Sequence, residues 1–366
     1  MSSQIGRRVK LSVFGESHGE MIGCTLQDLP AGEAIDLDAV ARQMARRAPG
    51  KDPTATPRKE SDLPRIVSGF YAGQTTGTPL TAVIVNENTR SGDYAAQVAV
   101  PRPGHADYTG MMRYGGANDI RGGGHFSGRL TAPIVFAGAV CRQILARRGV
   151  TIGAHILQIG QVCDERFDAV NVSEETLTRL SEASFALLDP TREEAMRREV
   201  EAARQNADSV GGIVELAVTG LPAGLGSPMF DGVENTLAAM LFGIPAVKGV
   251  EFGDGFALAS MRGSAANDSQ QYAEDGSLTV LSNHNGGLLG GITNGAPLIL
   301  RAVIKPTPSI AQVQASVDLQ EQKNTTTVIQ GRHDPCIVPR AVPVIEAAAA
   351  VALLDLLESE AGHRDA

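Results

Sequence analysis

Apolar positions recur along the chain with two different periods. Spacings of three and four predict helices at about 37–48, 130–148, 191–207, 229–242 and 341–358. Shorter runs rich in Val, Ile and Leu predict strands near 8–14, 21–27, 79–86, 151–160, 211–219 and 298–304. Between them lie segments dense in Gly, Pro, Asn and Ser, which read as turns and loops.

Two of these strand patterns occur twice, in the same order. MIGCTLQDLPAG (21–32) parallels GIVELAVTGLPAG (212–224), each a strand entering a Leu-Pro-Ala-Gly turn. GQTTGTPLTAVIVN (73–86) parallels GITNGAPLILRAVIK (291–305), each a Gly-containing turn followed by a strand. A shared turn tetrapeptide alone can arise by chance, but the paired order favours an internal duplication. The expected fold class is α+β: a β-α-β sandwich-like single body over 1–366, with related halves at approximately 8–160 and 210–350.

Composition changes that picture in two respects. With 41 glycines, no Trp and 4% aromatics, burial must rest on Ala, Val, Leu and Ile, with many tight turns. With 32 Lys+Arg against 41 Asp+Glu the net charge is −9, which argues against whole-surface attraction to nucleic acid or an anionic membrane. Any anion site must then be local. The run Arg42, Arg46, Arg47, Lys51, Arg58, Lys59, opposed only by Asp52, is a candidate, although such runs are usually solvated helix faces. The N-terminus has no apolar core of signal-peptide length and no segment has about 18 uninterrupted apolar residues, so a cytoplasmic location is expected. Cys24, Cys141, Cys163 and Cys336 are too scattered for a zinc knuckle or a disulfide framework, so no metal is expected.

The candidate chemistry sits in the loops. Five of seven histidines lie in Gly-rich or polar segments: His18 in GESHG, His105 in RPGHAD, His125 in RGGGHFSGR, His284 in SNHNGG and His333 in GRHDP. A single loop histidine is ordinarily a surface residue, but imidazole titrates near neutral pH and suits general acid catalysis. Arg102, Arg121, Arg129 and Arg332 neighbour three of these histidines, and with Arg47 and Arg58 they supply guanidinium forks for a multiply charged anion. The Gly-rich stretch 121–129 runs into the apolar helix at 130–148, whose free N–H groups would face an anion; it lacks the Lys-Ser/Thr ending of a Walker loop. KPTPSI (305–310) fits either a clasp for a phosphate or planar cofactor or a stiff strand exit.

These loops, with RRAPGKDPTATPRKESD (46–62), TTGTPL (75–80), RSGDY (90–94), RYGGANDIRGGG (113–124), PAVKGVEFGDGF (245–256), NHNGGLLGG (283–291), KPTPS (305–309) and GRHDPC (331–336), resemble the chorismate synthase family from about residue 6 to 350. The resemblance implies a lyase that eliminates phosphate from 5-enolpyruvylshikimate-3-phosphate in the anti-1,4 sense, requiring reduced FMN without net redox change. It implies that His18 protonates the leaving phosphate, that His105 protonates the reduced flavin near N1, and that Asp334, near flavin N5 and helped by Ser17, assists removal of the C6 proton. By the same resemblance Arg47, Arg58, Arg129 and Arg332 bind substrate. His125, Phe126, Ser127, Pro245, Ala246, Gly290, Lys305, Pro306, Thr307, Pro308, Ser309 and Arg332 contact FMN. It also implies a homotetramer.

The chain departs from the family pattern at His125 and Phe126, which stand where many relatives carry Arg and Ser, and at Pro53, where relatives carry another Arg. The first departure shifts the expected flavin contacts there towards backbone. The second weakens any nicotinamide contact, leaving open whether NADPH is used directly or through a separate flavin reductase. The competing reading is a flavin oxidoreductase acting on a phosphorylated anionic substrate; a catalytically silent ligand-binding protein is a third.

Overall fold

The computed structural model describes residues 3–50, 61–87, 99–329 and 334–364. Helices and strands are mixed, and two antiparallel five-stranded sheets dominate. The first has the order β1-β2-β3-β5-β4, with β1 Gln4–Ile5, β2 Lys10–Gly15, β3 Met21–Gln27, β4 Arg65–Ser68 and β5 Leu80–Val85. The second has the order β9-β10-β8-β6-β7, with β6 Thr151–Ile159, β7 Val162–Cys163, β8 Gly212–Thr219, β9 Val247–Phe252 and β10 Leu298–Ile304. All six strands expected from the sequence form within a residue or two of their expected bounds.

The helices are α1 Leu37–Arg47, α2 Asp107–Tyr114, α3 Thr131–Arg147, α4 Glu174–Glu182, α5 Glu193–Gln205, α6 Val233–Phe242, the single turn α7 Gly263–Ala266, and α8 Val338–Arg364. Asp36 caps α1 by accepting from the Asp38 and Ala39 N–H groups at 2.8 and 3.2 Å. The long C-terminal helix starts three residues before its expected position. Pro339 falls in its first turn, where no N–H partner is needed, so it does not prevent the earlier start.

α3 packs on β3 and β5 of the first sheet, α8 on β6, β8 and β10 of the second, and the two helices pack on each other. Their surfaces permit this because they are small. A Cβ on Gly138 of α3 would lie 2.2 Å from Ala347 Cα of α8, so no larger residue fits that crossing without a shift. α3 with its preceding turn is long and apolar enough by composition to cross a membrane, yet 83% of that window is buried inside the protein, the condition of a core helix.

Two buried carboxylates on α8 hold the layers in register. Glu346, 0% exposed, accepts from Arg46 of α1 at 2.5 Å, Arg142 of α3 at 2.9 Å and the Ala154 N–H of β6 at 3.0 Å. Asp355 accepts from the backbone N–H groups of Arg7, Arg8 and Val9 at 2.7–2.9 Å, fixing the entry into β2. Arg46 and Arg47 are therefore buried, and among the described residues of that run the expectation of a solvated basic face holds only for Arg42, whose side chain is 64% exposed.

The repeated sequence motifs make equivalent contacts in the two sheets. The Thr75 hydroxyl donates to the Pro30 carbonyl at 2.6 Å and accepts from the Glu33 N–H at 3.0 Å. The Thr293 hydroxyl donates to the Pro222 carbonyl at 2.6 Å and accepts from the Leu225 N–H at 2.9 Å. In both cases the Leu-Pro-Ala-Gly turn is clamped by a threonine that precedes the next strand.

Candidate functional site

The turn leaving β2 carries Ser17 and His18, which are 2% and 7% exposed. Asn86, just past β5, holds that turn by donating from Nδ2 to the Glu16 and Gly19 carbonyls at 3.0 and 2.9 Å. On the other side the Ser17 N–H donates to the Gly124 carbonyl at 3.1 Å. The Gly-rich loop runs against the turn so closely that a Cβ on Gly122 would lie 2.5 Å from the His18 ring and 2.9 Å from the Ser17 hydroxyl. Gly122, Gly123 and Gly124 all have positive φ, at 61°, 84° and 53°, a path that side-chain-bearing residues rarely follow.

The same loop reaches the second histidine. Gly123 packs beside Arg102, whose guanidinium grips Asp107 through two hydrogen bonds of 2.7 Å. Burial works against ionisation of Asp107, but Arg102 and the nearby His105 outweigh it and hold the carboxyl below its usual range. The pair fixes the start of α2 and the loop that bears His105. His105 Nε2 shares a 2.6 Å hydrogen bond with Ser309 Oγ, and Lys305 Nζ donates to the Gly104 carbonyl at 2.6 Å. The 305–309 segment thus docks on the His105 loop.

The arginines sort into two groups. Arg102 and Arg121 are gripped by their own neighbours Asp107 and Asp119, each through paired hydrogen bonds. Arg47 and Arg129 converge instead on one carboxylate. Asp62, 1% exposed, accepts from Arg47 Nη1 at 2.6 Å and closely from Arg129 Nη1. Arg47 also donates to Thr131 Oγ1 and the Gly128 carbonyl, both at 3.1 Å, and Arg129 donates from Nε to Asn86 Oδ1 at 3.0 Å. Burial, Arg340 and Arg129 lower Arg47 to about 10 against the opposing pull of Asp62. Burial opposes ionisation of Asp62 as well, and its two guanidinium partners overcome it, so its pKa is lowered.

Asp334 joins this cluster through Arg340 in the first turn of α8. Arg340 Nη1 binds Asp334 closely, and its Nε donates to the Arg47 carbonyl at 2.9 Å. Arg58 and Arg332 lie outside the described residues, as do Lys51, Lys59 and His333.

Other expected cofactor residues are placed less uniformly. His125 is tied to the chain at both ring nitrogens, donating from Nδ1 to the Gly15 carbonyl at 2.8 Å and bonding Ser3 Oγ at 2.7 Å through Nε2. The Phe126 ring covers Gly110 and tilts against Tyr114, at 6.3 Å between centroids, while Ser127 caps the turn before α3. Ala246, at φ 76°, follows Pro245 and accepts from the Lys305 N–H at 2.9 Å, which places both beside the 305–309 segment. Gly290 sits at a separate hairpin tip that packs through Gly291 on Ser227 and Gly232. His284 is paired with Asp254 at 2.6 Å in the second half.

The residues present fit a flavin phosphate and ring edge. Lys305, Ser309 and His105 are neighbouring polar groups, and the Thr307 hydroxyl is buried with no hydrogen-bond partner among the described residues. Asn86, Asp62 and Arg340 went unrecognised as site residues in the sequence. Asp62 ends the 46–62 motif, which is the one signal that could have marked it.

Histidines on facing loops, a Gly-rich turn and buried guanidinium groups on one body define an enzyme that handles a small anionic molecule. The sequence profile described as chorismate synthase matches residues 9–357. The chain is 45% identical to chorismate synthase of Lancefieldella parvula over 370 residues, covering 98% of this chain and 97% of that one. It is 45% identical to chorismate synthase of Thermococcus kodakarensis, covering 96% of each. A solved crystal structure of a chorismate synthase superposes with a TM-score of 0.77 at 27% identity, covering 98% of this chain and 94% of that one. The chain belongs to the chorismate synthase family, and its activity is that of a lyase.

Proposed function

We propose that this protein converts 5-enolpyruvylshikimate-3-phosphate to chorismate by anti-1,4-elimination of phosphate, in aromatic amino-acid biosynthesis. The observation that carries the proposal is the Gly-rich loop at 121–124, which packs on Ser17 and His18 and also lies beside the Arg102 that anchors the His105 loop. His18 holds a proton for the departing phosphate oxygen, and Arg47, Arg58, Arg129 and Arg332 bind the substrate's anionic groups. Asp334 assists removal of the C6 proton with Ser17 beside the same turn. Reduced FMN, when bound, supplies electron density to the reacting ring and is not consumed. His105, Lys305, Thr307 and Ser309 hold the cofactor, joined by Pro245, Ala246, Pro306, Pro308, Arg332 and the backbone of 125–127.

Gly290 is assigned to the same cofactor from the tip of its hairpin, which packs through Gly291 on Ser227 and Gly232. A homotetramer is part of the proposal. Its support is the set of large apolar side chains left in water by one chain, among them Phe230 at 81%, Phe256 at 86% and Tyr272 at 78% exposure. The layering is read as a β-α-β sandwich built from two related halves in one domain, supported by the equivalent Thr75 and Thr293 clamps. NADPH acts as an indirect reductant through a separate flavin reductase, and the working location is the cytoplasm.

The test is anaerobic turnover of 5-enolpyruvylshikimate-3-phosphate with purified protein and chemically reduced FMN, and separately with NADPH and oxidised FMN. Phosphate release in the first arm without net flavin oxidation is the expected result, with none in the second. Oxidation of one reduced FMN per turnover would instead establish the oxidoreductase reading.

A further inference from the structure

We propose that Asp62 is the positioning residue of the substrate site: its carboxylate sets the spacing of Arg47 and Arg129 and, through Arg129 and Asn86, the placement of the turn that carries His18. The proposal rests on the functional reading above and goes beyond it by assigning a residue that binds neither substrate nor cofactor.

The geometry carries the argument. Two guanidinium groups buried side by side repel each other, and Arg129 does depress the ionisation of Arg47. One carboxylate between them removes one unit of charge and leaves the cluster net positive by one, which still attracts an anion. Asp62 reaches this place through a backbone with φ of 47°, a left-handed conformation that a non-glycine residue adopts at a cost, so the fold maintains it against local preference. Each carboxylate oxygen takes a different arginine: Oδ2 accepts from Arg47 and Oδ1 from Arg129. That arrangement fixes their separation, not only their charge. Each arginine is braced independently as well, Arg47 by Thr131 and Gly128 and Arg129 by Asn86.

The link onward is continuous. Asn86 accepts from Arg129 through Oδ1 and donates through Nδ2 to the Glu16 and Gly19 carbonyls, the two ends of the turn bearing Ser17 and His18. A change in where Arg129 sits is therefore felt at His18 through two hydrogen-bonded steps.

Asp62→Asn tests this, since it keeps the shape and one acceptor oxygen but loses the charge and one of the two acceptor positions. The expected result is a KM for 5-enolpyruvylshikimate-3-phosphate raised roughly 10- to 100-fold, the range for losing charged hydrogen bonds. The Asp62→Glu variant should recover part of that affinity. Asn86→Ala should lower kcat and raise KM less than Asp62→Asn does, because it releases the His18 turn and one brace of Arg129 while Asp62 still holds both arginines. A fall or no change in the KM of Asp62→Asn, in protein whose far-ultraviolet circular dichroism matches the parent, overturns the proposal. So does a kcat loss alone, the signature of a smaller folded fraction. Inorganic phosphate as a competitive inhibitor provides the second measurement: its inhibition constant should rise with KM in Asp62→Asn, and an unchanged constant counts against the role. If the parent protein itself releases no phosphate, the functional reading fails; if the parent is active and Asp62→Asn keeps the parental KM, only the role of Asp62 fails.

Discussion

At the scale of single residues, chemistry here depends on what holds each side chain. His105 is fixed from two directions, by Ser309 and by the Arg102 and Asp107 pair beneath its loop. His105→Ala should lower the rate of phosphate release roughly 10²–10⁴-fold, the usual contribution of a general acid, measured as initial rates with reduced FMN supplied. Unchanged turnover would remove His105 from the mechanism. His155 is a different case: it lies outside the site, 0% exposed, with Asp164 and Glu215 each 3.0 Å from one ring nitrogen. Burial opposes its protonation, but the two carboxylates prevail and raise its pKa above 6.5. A group whose folded pKa is raised contributes stability that is complete below its unfolded value and is lost as pH rises through the folded value. The thermal midpoint of the parent relative to His155→Gln should therefore be highest below about pH 6.5 and shrink at alkaline pH. A difference that grows with pH would contradict the charged assignment.

At the scale of elements, buried carboxylates do for the helices what Asp62 does for the site. Glu346 joins α1, α3, α8 and β6, and removing it strands Arg46 and Arg142 with uncompensated charge in the interior. Glu346→Ala should cost about 3–5 kcal/mol of stability, measured by urea unfolding, as for other broken buried pairs. The long strands and the helices α1, α3, α5, α6 and α8 were legible in the sequence because each presents a sustained apolar period. The elements that were not, α2, α4, β4, β9 and the hairpin of β11 Val313–Asp318 and β12 Lys323–Val328, are short or alternate polar residues at the surface. In KNTTTV the pattern of exposed and half-buried positions is set by pairing with the neighbouring strand, so periodicity has little apolar content to report.

At the scale of the whole molecule, the two sheets and their helices leave large apolar side chains in water. Under the proposed homotetramer, Phe230, Phe256 and Tyr272 would be covered by other copies of the chain. Sedimentation equilibrium at micromolar concentration should give a mass near four times the 38.3 kDa chain, and a monomer at that concentration would contradict the tetramer. The chain as a whole has a net charge of −9, while Arg47, Arg129 and Arg340 gather around Asp62 and Asp334. The local excess of positive charge is thus compatible with an acidic protein.

The sequence by itself determined the family, the loops that carry His18, His105 and Asp334, and the strands around which the chain folds, because these depend on residue type and order within short segments. Only the tertiary structure decided which charges meet. Arg47 and Arg129 lie 82 residues apart in the chain, yet one carboxylate joins them, while Arg102 and Arg121, equally suggestive in sequence, are gripped by neighbours two to five residues away. The physical reason is that a guanidinium group binds whichever carboxylate the fold brings within hydrogen-bond reach, and burial then magnifies the consequence. Motifs register that an arginine or an aspartate is present, whereas the pairing belongs to the packed chain.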